Sequence, residues 1–274
     1  MSTPALPEIA ERDATGRVAE LYEEIRRAVG LPLVNLVYRV LAAGETLELA
    51  WAQLGPNLRD PGIPDMARAL VDEITVSVPP VPGAALATVG ASETQLAIGR
   101  STVAAYMHAN PRNILVVTAL LDRAPGMGQP LPTGSEAAPA PDWDILPMAS
   151  LDRLDASARM LIDEMSAPLV TPGQEALVPS LLRHFADSPT LLAVLWTALA
   201  PAVTSGAVAR DANSVTTTAR NLATRLPYPV EPIADPATRE TLQRFQFTLS
   251  RMIVVGRLLE QALTPDESVS EESR

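Results

Sequence analysis

One stretch of this chain is written twice, and that repetition limits what the chain can fold into. The first copy runs from Val34 to Pro56 and the second from Val178 to Pro201. Arg39 matches Arg183, Ala42 matches Ala186, and Thr46-Leu47 matches Thr190-Leu191, all at an offset of 144. Trp51 matches Trp196 and Leu54 matches Leu199 at an offset of 145, so the second copy carries one inserted residue. Further along, Ile114 to Asp122 returns as Met252 to Glu260. Self-similarity at a long fixed spacing is the mark of a duplicated structural unit.

The spacing within each copy is helical. Val18, Leu21, Tyr22 and Ile25 recur on one face of a first helix, with Glu20, Glu23, Glu24, Arg26 and Arg27 opposite. Gly30 to Pro32 breaks it. A second helix carries Leu36, Val37, Val40 and Leu41 to a stop at Gly44, and a third runs through Leu47, Trp51 and Leu54 to Gly55-Pro56. Pro64-Asp65 opens a helix that carries Met66, Leu70 and Ile74, with Thr75 to Val78 as its end and Pro79 to Gly83 as a loop. A helix is expected over roughly Ala91 to Met107. His108 to Pro111 reads as a turn, and another helix follows through Leu121.

Residues 124–150 change character, with Pro125, Pro130, Pro132, Pro139, Pro141 and Pro147 mixed with Gly, Ala and Ser. This reads as an extended, proline-stiffened linker. Beyond it the order repeats: a helix through Ala158 and Met165, a break at Pro172-Gly173, the duplicated pair, Val208 to Leu226, and Pro236 to Leu263. The expected organisation is all-α. Two tandem helical repeats, 1–123 and 151–264, are joined by the linker 124–150, related by a pseudo-twofold axis, and followed by an acidic tail, 265–274, expected to be disordered. Sites in such assemblies form between facing elements, which makes the space between the repeats the default pocket.

Composition narrows the chemistry. The 274 residues are 47% hydrophobic but only 4% aromatic, so the core is aliphatic. A formal net charge of −11 argues against nucleic acid or an anionic membrane as a partner. There is no cysteine, which excludes disulfides and thiolate chemistry, and two histidines, His108 and His184, leave no multi-histidine metal site. Met1 to Arg12 lacks the basic-then-apolar pattern of a signal peptide, and no uncharged apolar run reaches the ~18 residues of a membrane span. These features lead us to expect a cytoplasmic protein with no membrane partner.

Three segments, Gly30 to Ala42, Tyr106 to Leu120 and Ser180 to Pro189, stand in an order and spacing that resemble the group I 2-haloacid dehalogenase (DehI) family. The resemblance runs over about residues 7–263. It implies an all-α fold of two tandem repeats, a homodimer, and cofactor-free hydrolytic dehalogenation in which an aspartate activates water. Under it the family's active-site asparagine falls on Asn110, and the serine preceding the catalytic aspartate falls on Ser180. The catalytic aspartate itself falls on Leu181, and two aromatic residues at the halide end fall on Leu33 and Leu36. A leucine accepts no proton, and general-base assistance is worth about 10²–10⁴-fold.

His184, one turn from Leu181, is the candidate acid or base; a histidine satisfied within helix packing is the bland alternative. Asn110 is a ligand contact, a helix cap ahead of Pro111, or both. His108 beside that turn, Asn35 and Tyr38 are candidates to line the pocket. Arg39 and Arg183, at equivalent places in the two copies, suit either a carboxylate or nearby acids. Trp51 and Trp196 read as core. Three functions compete: a cofactor-free isomerase, cyclase or lyase repurposed for a bulky apolar substrate such as a secondary metabolite; a dehalogenase with another base; and a non-catalytic binder of apolar ligands. The aliphatic replacements at Leu33, Leu36 and Leu181 favour the first.

Overall fold

The computed structural model describes residues 7–122, 124, 142–171 and 178–265. Among these residues there are eleven α-helices and no β-strand. The helices are α1 (Gly16–Val29), α2 (Leu36–Ala43), α3 (Leu47–Leu58), α4 (Ile63–Asp72), α5 (Gly83–Thr88), α6 (Glu93–Asp122), α7 (Ala156–Ser166), α8 (Ser180–Arg183), α9 (Pro189–Thr204), α10 (Ala207–Ala223) and α11 (Pro236–Ala262). The all-α expectation holds. No single helix among the described residues is long and apolar enough to cross a membrane; α9 and α10 qualify only together, across a 73° bend.

The two longest helices, α6 and α11, pack against each other and form the middle of the molecule, with α4 and α10 against them. From Ile114 to Leu120 every residue of α6 is buried, so this turn of sequence is surrounded by protein on all sides. The crossing of α6 and α11 is close because position 256 is glycine. A Cβ there would lie 2.5 Å from the Met107 sulfur.

Local signals explain most element ends. Asn35 caps α2, its Oδ1 accepting from Val37 N at 3.1 Å. Asp155 and Asp235 cap α7 and α11 in the same way. Gly30 closes α1 in the left-handed conformation, φ 75°, which a side chain would strain.

Three expectations require correction. The turn at His108 to Pro111 does not exist, because α6 runs unbroken from Glu93 to Asp122 with Pro111 inside it. Proline removes one backbone donor, but burial holds the helix on either side, and the Arg112 guanidinium donates to the His108 carbonyl. Thr75 to Val78 is not the end of a helix. α4 stops at Asp72, and the following residues are extended, held by side chains from the second half of the chain: Asp211 Oδ2 accepts from Thr75 N and Val76 N, both at 2.7 Å, and Gln261 Oε1 accepts from Val78 N at 2.9 Å. α3 continues past Gly55-Pro56 to Leu58, and the short α5 was not anticipated. Most of the linker (125–141), the break at Pro172-Gly173 and the tail beyond Pro265 lie outside the described residues.

Residues matched between the two stretches make similar hydrogen bonds. Trp51 of α3 donates to Glu24 of α1 at 2.8 Å, and Trp196 of α9 donates to Glu164 of α7 at 2.9 Å. Ile9 N donates to the Arg39 carbonyl, and Ala149 N to the Arg183 carbonyl. The ends of the long helices are shared crosswise: Val81 N donates to Ala262 O, while Ile233 N donates to Leu120 O.

Candidate functional site

A cavity of about 100 Å³ lies where α2, α6, α8 and α11 meet the segment 142–150. Its walls come from both halves of the chain and are mostly hydrocarbon: Leu31, Leu33 and Leu36 from the first, and Leu181, Leu249 and Met252 from the second, with Phe245 and Ile145. Polar groups enter singly, as Asn35, Arg39, Tyr106, Asn110, Ser180 and Thr248.

Two of the neutral groups have nothing to bond to among the described residues. Asn110 projects from the middle of α6, is 3% exposed, and makes no hydrogen bond among the described residues. It cannot be a helix cap, because the helix does not begin there. The Thr248 hydroxyl on α11 is likewise buried without a partner among the described residues. A buried hydrogen-bonding group left unsatisfied costs about 1–3 kcal/mol. Both line the cavity, so a ligand oxygen or nitrogen there could complete them.

Among the described residues one acid lines the cavity, and both its oxygens are occupied. Glu11 Oε2 is 2.6 Å from Arg26 Nη2, and Oε1 accepts from Val34 N at 3.0 Å. The guanidinium of Arg39 contributes the opposite charge. Its Nε lies 3.2 Å from Glu8 Oε2, close enough for an ion pair but too poorly aligned to count as a hydrogen bond. A charge-assisted bond weakens steeply with angle, so Nε keeps an unmet hydrogen-bonding need among the described residues.

His184, the candidate acid or base, is not among the residues that line the cavity. It is 4% exposed and lies behind Tyr106. Its Nδ1 meets the Leu146 carbonyl, which can only accept, so Nδ1 carries the proton and the bare Nε2 accepts from the Tyr106 hydroxyl at 3.0 Å. Burial lowers its pKa, keeping it neutral near pH 7, and pushes the Tyr106 phenol up. Ser180, which also lines the cavity, acts on the same phenol in the opposite direction and holds its pKa down against burial.

Three further candidates are placed elsewhere. His108 Nε2 donates to the Val29 carbonyl at 2.9 Å and its ring rests on Trp143. Tyr38 is core, its hydroxyl 3.0 Å from Asn113 Oδ1 and its ring edge-on to Trp51. Arg183 donates through Nε and Nη2 to the Ala149 carbonyl. Leu33, Asn35, Leu36, Asn110, Ser180 and Leu181 do line the cavity. Sequence reasoning missed Tyr106, Thr248 and Glu11 as lining residues. The helical spacing Phe245, Thr248, Leu249, Met252 was the available signal for the α11 wall, but it looks the same as a core stripe. Among the described residues no group of three His, Cys, Asp or Glu side chains is placed to hold a metal.

An all-helical chain with an apolar cavity under its two longest helices defines a class, and comparison with known proteins narrows it. No family model matches. The chain is 28% identical over 124 residues to a configuration-inverting 2-haloacid dehalogenase of Alcaligenes xylosoxydans xylosoxydans, a match covering 44% of this chain and 42% of that protein. The match therefore spans less than half of that relative. Among solved structures, a D-2-haloacid dehalogenase mutant in complex with D-2-CPA superposes with a TM-score of 0.81 at 16% identity, over 93% of this chain and 95% of the other. A D-2-haloacid dehalogenase with L-LA gives 0.78 at 16% identity, over 94% and 96%. The chain therefore shares the all-α fold of the D-2-haloacid dehalogenases, and Leu181 stands where the resemblance places the DehI family's catalytic aspartate.

Proposed function

We propose that this chain is a small-molecule enzyme that binds a predominantly apolar substrate in the cavity and works without a carboxylate base. The observation that carries this reading is the pairing of hydrocarbon walls with two unpartnered neutral side chains, Asn110 and Thr248, and no free acid among the described lining residues. Asn110 can both donate and accept, so it suits a carbonyl or hydroxyl whose charge changes during reaction. The walls hold the rest of the molecule in one conformer, and restricting a flexible reactant in this way lowers the barrier to ring closure, isomerisation or elimination. Polar hydrogen bonds gain strength where water is excluded.

Hydrolytic dehalogenation is the second reading, favoured by the fold likeness. It needs a base, and among the described residues Glu11 is the only acid lining the cavity. The test measures halide release from both enantiomers of 2-chloropropionate. The proposal expects none above the uncatalysed level. Steady release that disappears in Glu11→Gln would overturn it and establish the dehalogenase.

A further inference from the structure

A second hollow of about 160 Å³ lies beside the first, between α2 and the start of α11. It is lined by Val37, Val40 and Leu41 from α2 and by Thr238, Thr241 and Leu242 from α11. One side chain, Phe245, borders both hollows. The α11 contributions form one unbroken stripe at helical spacing: 238, 241 and 242 in the second hollow, 245 in both, and 248, 249 and 252 in the first. From Ala237 to Met252 that stripe covers about 22 Å at ~1.5 Å per residue. α2 divides likewise, with Leu36 and Arg39 turned to the first hollow and Val37 and Val40 to the second. The two spaces are successive compartments of one seam between α2 and α11, with a phenyl ring between them.

We propose that the second hollow is a subsite of the same site, that it takes the apolar arm of an elongated substrate, and that Phe245 sets how far the arm reaches. The proposal rests on the reading of the first hollow given above and adds the shape of the substrate: a polar group at Asn110 and Thr248, and a hydrocarbon extension running toward Thr241. Thr241 and Thr238 are only half-buried, and Ala237 at the far end is exposed, so the arm's tip would meet water.

Isothermal titration calorimetry with the straight-chain alcohols from 1-butanol to 1-dodecanol tests this on the full chain. Once the alcohol outgrows the first hollow, each further methylene should tighten binding about fourfold, the equivalent of ~0.8 kcal/mol per buried CH₂. Thr241→Trp, at a half-buried position lining only the second hollow, should abolish that gain for long alcohols and leave short ones unchanged. Phe245→Leu, chosen because it keeps a buried side chain there, should tighten binding of the long alcohols selectively. Affinity that stops rising at the same chain length in wild type and Phe245→Leu, or long-chain binding indifferent to Thr241→Trp, would overturn the subsite while leaving the first hollow standing. If no alcohol of any length binds, the reading of the first hollow fails and takes this proposal with it.

Discussion

Replacing Leu181 with aspartate would put a carboxylate on the cavity wall at the position where the resemblance expects one. Leu181 is 1% exposed, so the substitution leaves a poorly solvated charge and should cost about 2–4 kcal/mol of stability. The expected return is halide release from 2-chloropropionate where wild type gives none, read by ion chromatography beside a denaturation curve. Asn110→Ala should leave the fold intact and remove turnover of the native substrate, because the amide makes no contact that the protein itself needs. The two histidines make a second residue-scale prediction. Burial lowers the pKa of both His184 and His108 below the ordinary 6.5. As pH falls through 6.5 the unfolded chain takes up these protons before the folded one does, so stability is full above that pH and declines below it. Thermal melts between pH 7 and pH 5 should show the decline, and a His108→Gln, His184→Gln double variant should flatten it.

At the scale of elements, the crossing of α6 and α11 depends on Gly256. Gly256→Ala should destabilise by about 1–2 kcal/mol, since Met107 must give way to the new methyl, and Met107→Ala in the same chain should recover part of the loss. Denaturant midpoints of the three variants would show the coupling. Helices of this kind were legible because their apolar residues recur at helical spacing and their ends carry ordinary punctuation, as at Gly30 and Asn35. The misreadings share a cause. Asn110-Pro111 carries the local signature of a turn, and burial on every side overrode it. Thr75 to Val78 carries no strong local signature and takes its shape from Asp211, 136 residues away. The site was half-legible for the same reason. Asn110, Ser180 and Leu181 emerged from their order along the chain, whereas the position of His184 behind Tyr106 is a matter of packing that no spacing records.

At the scale of the molecule, the two halves are tied by hydrogen bonds that cross between them. Asp211 is 7% exposed and accepts from two backbone amides and the Thr75 hydroxyl. Asp211→Ala leaves those amides without their acceptor and should cost about 2–4 kcal/mol, with Asp211→Asn costing less; chemical denaturation gives both. The crosswise sharing of helix ends has a larger consequence. Val81 leans on the end of α11, and Ile233 on the end of α6, so each half supplies the finishing piece of the other. A chain cut between residues 125 and 141 should therefore yield two fragments that stay molten when kept apart and recover cooperative melting once mixed, like a key and lock each cast from the other's mould.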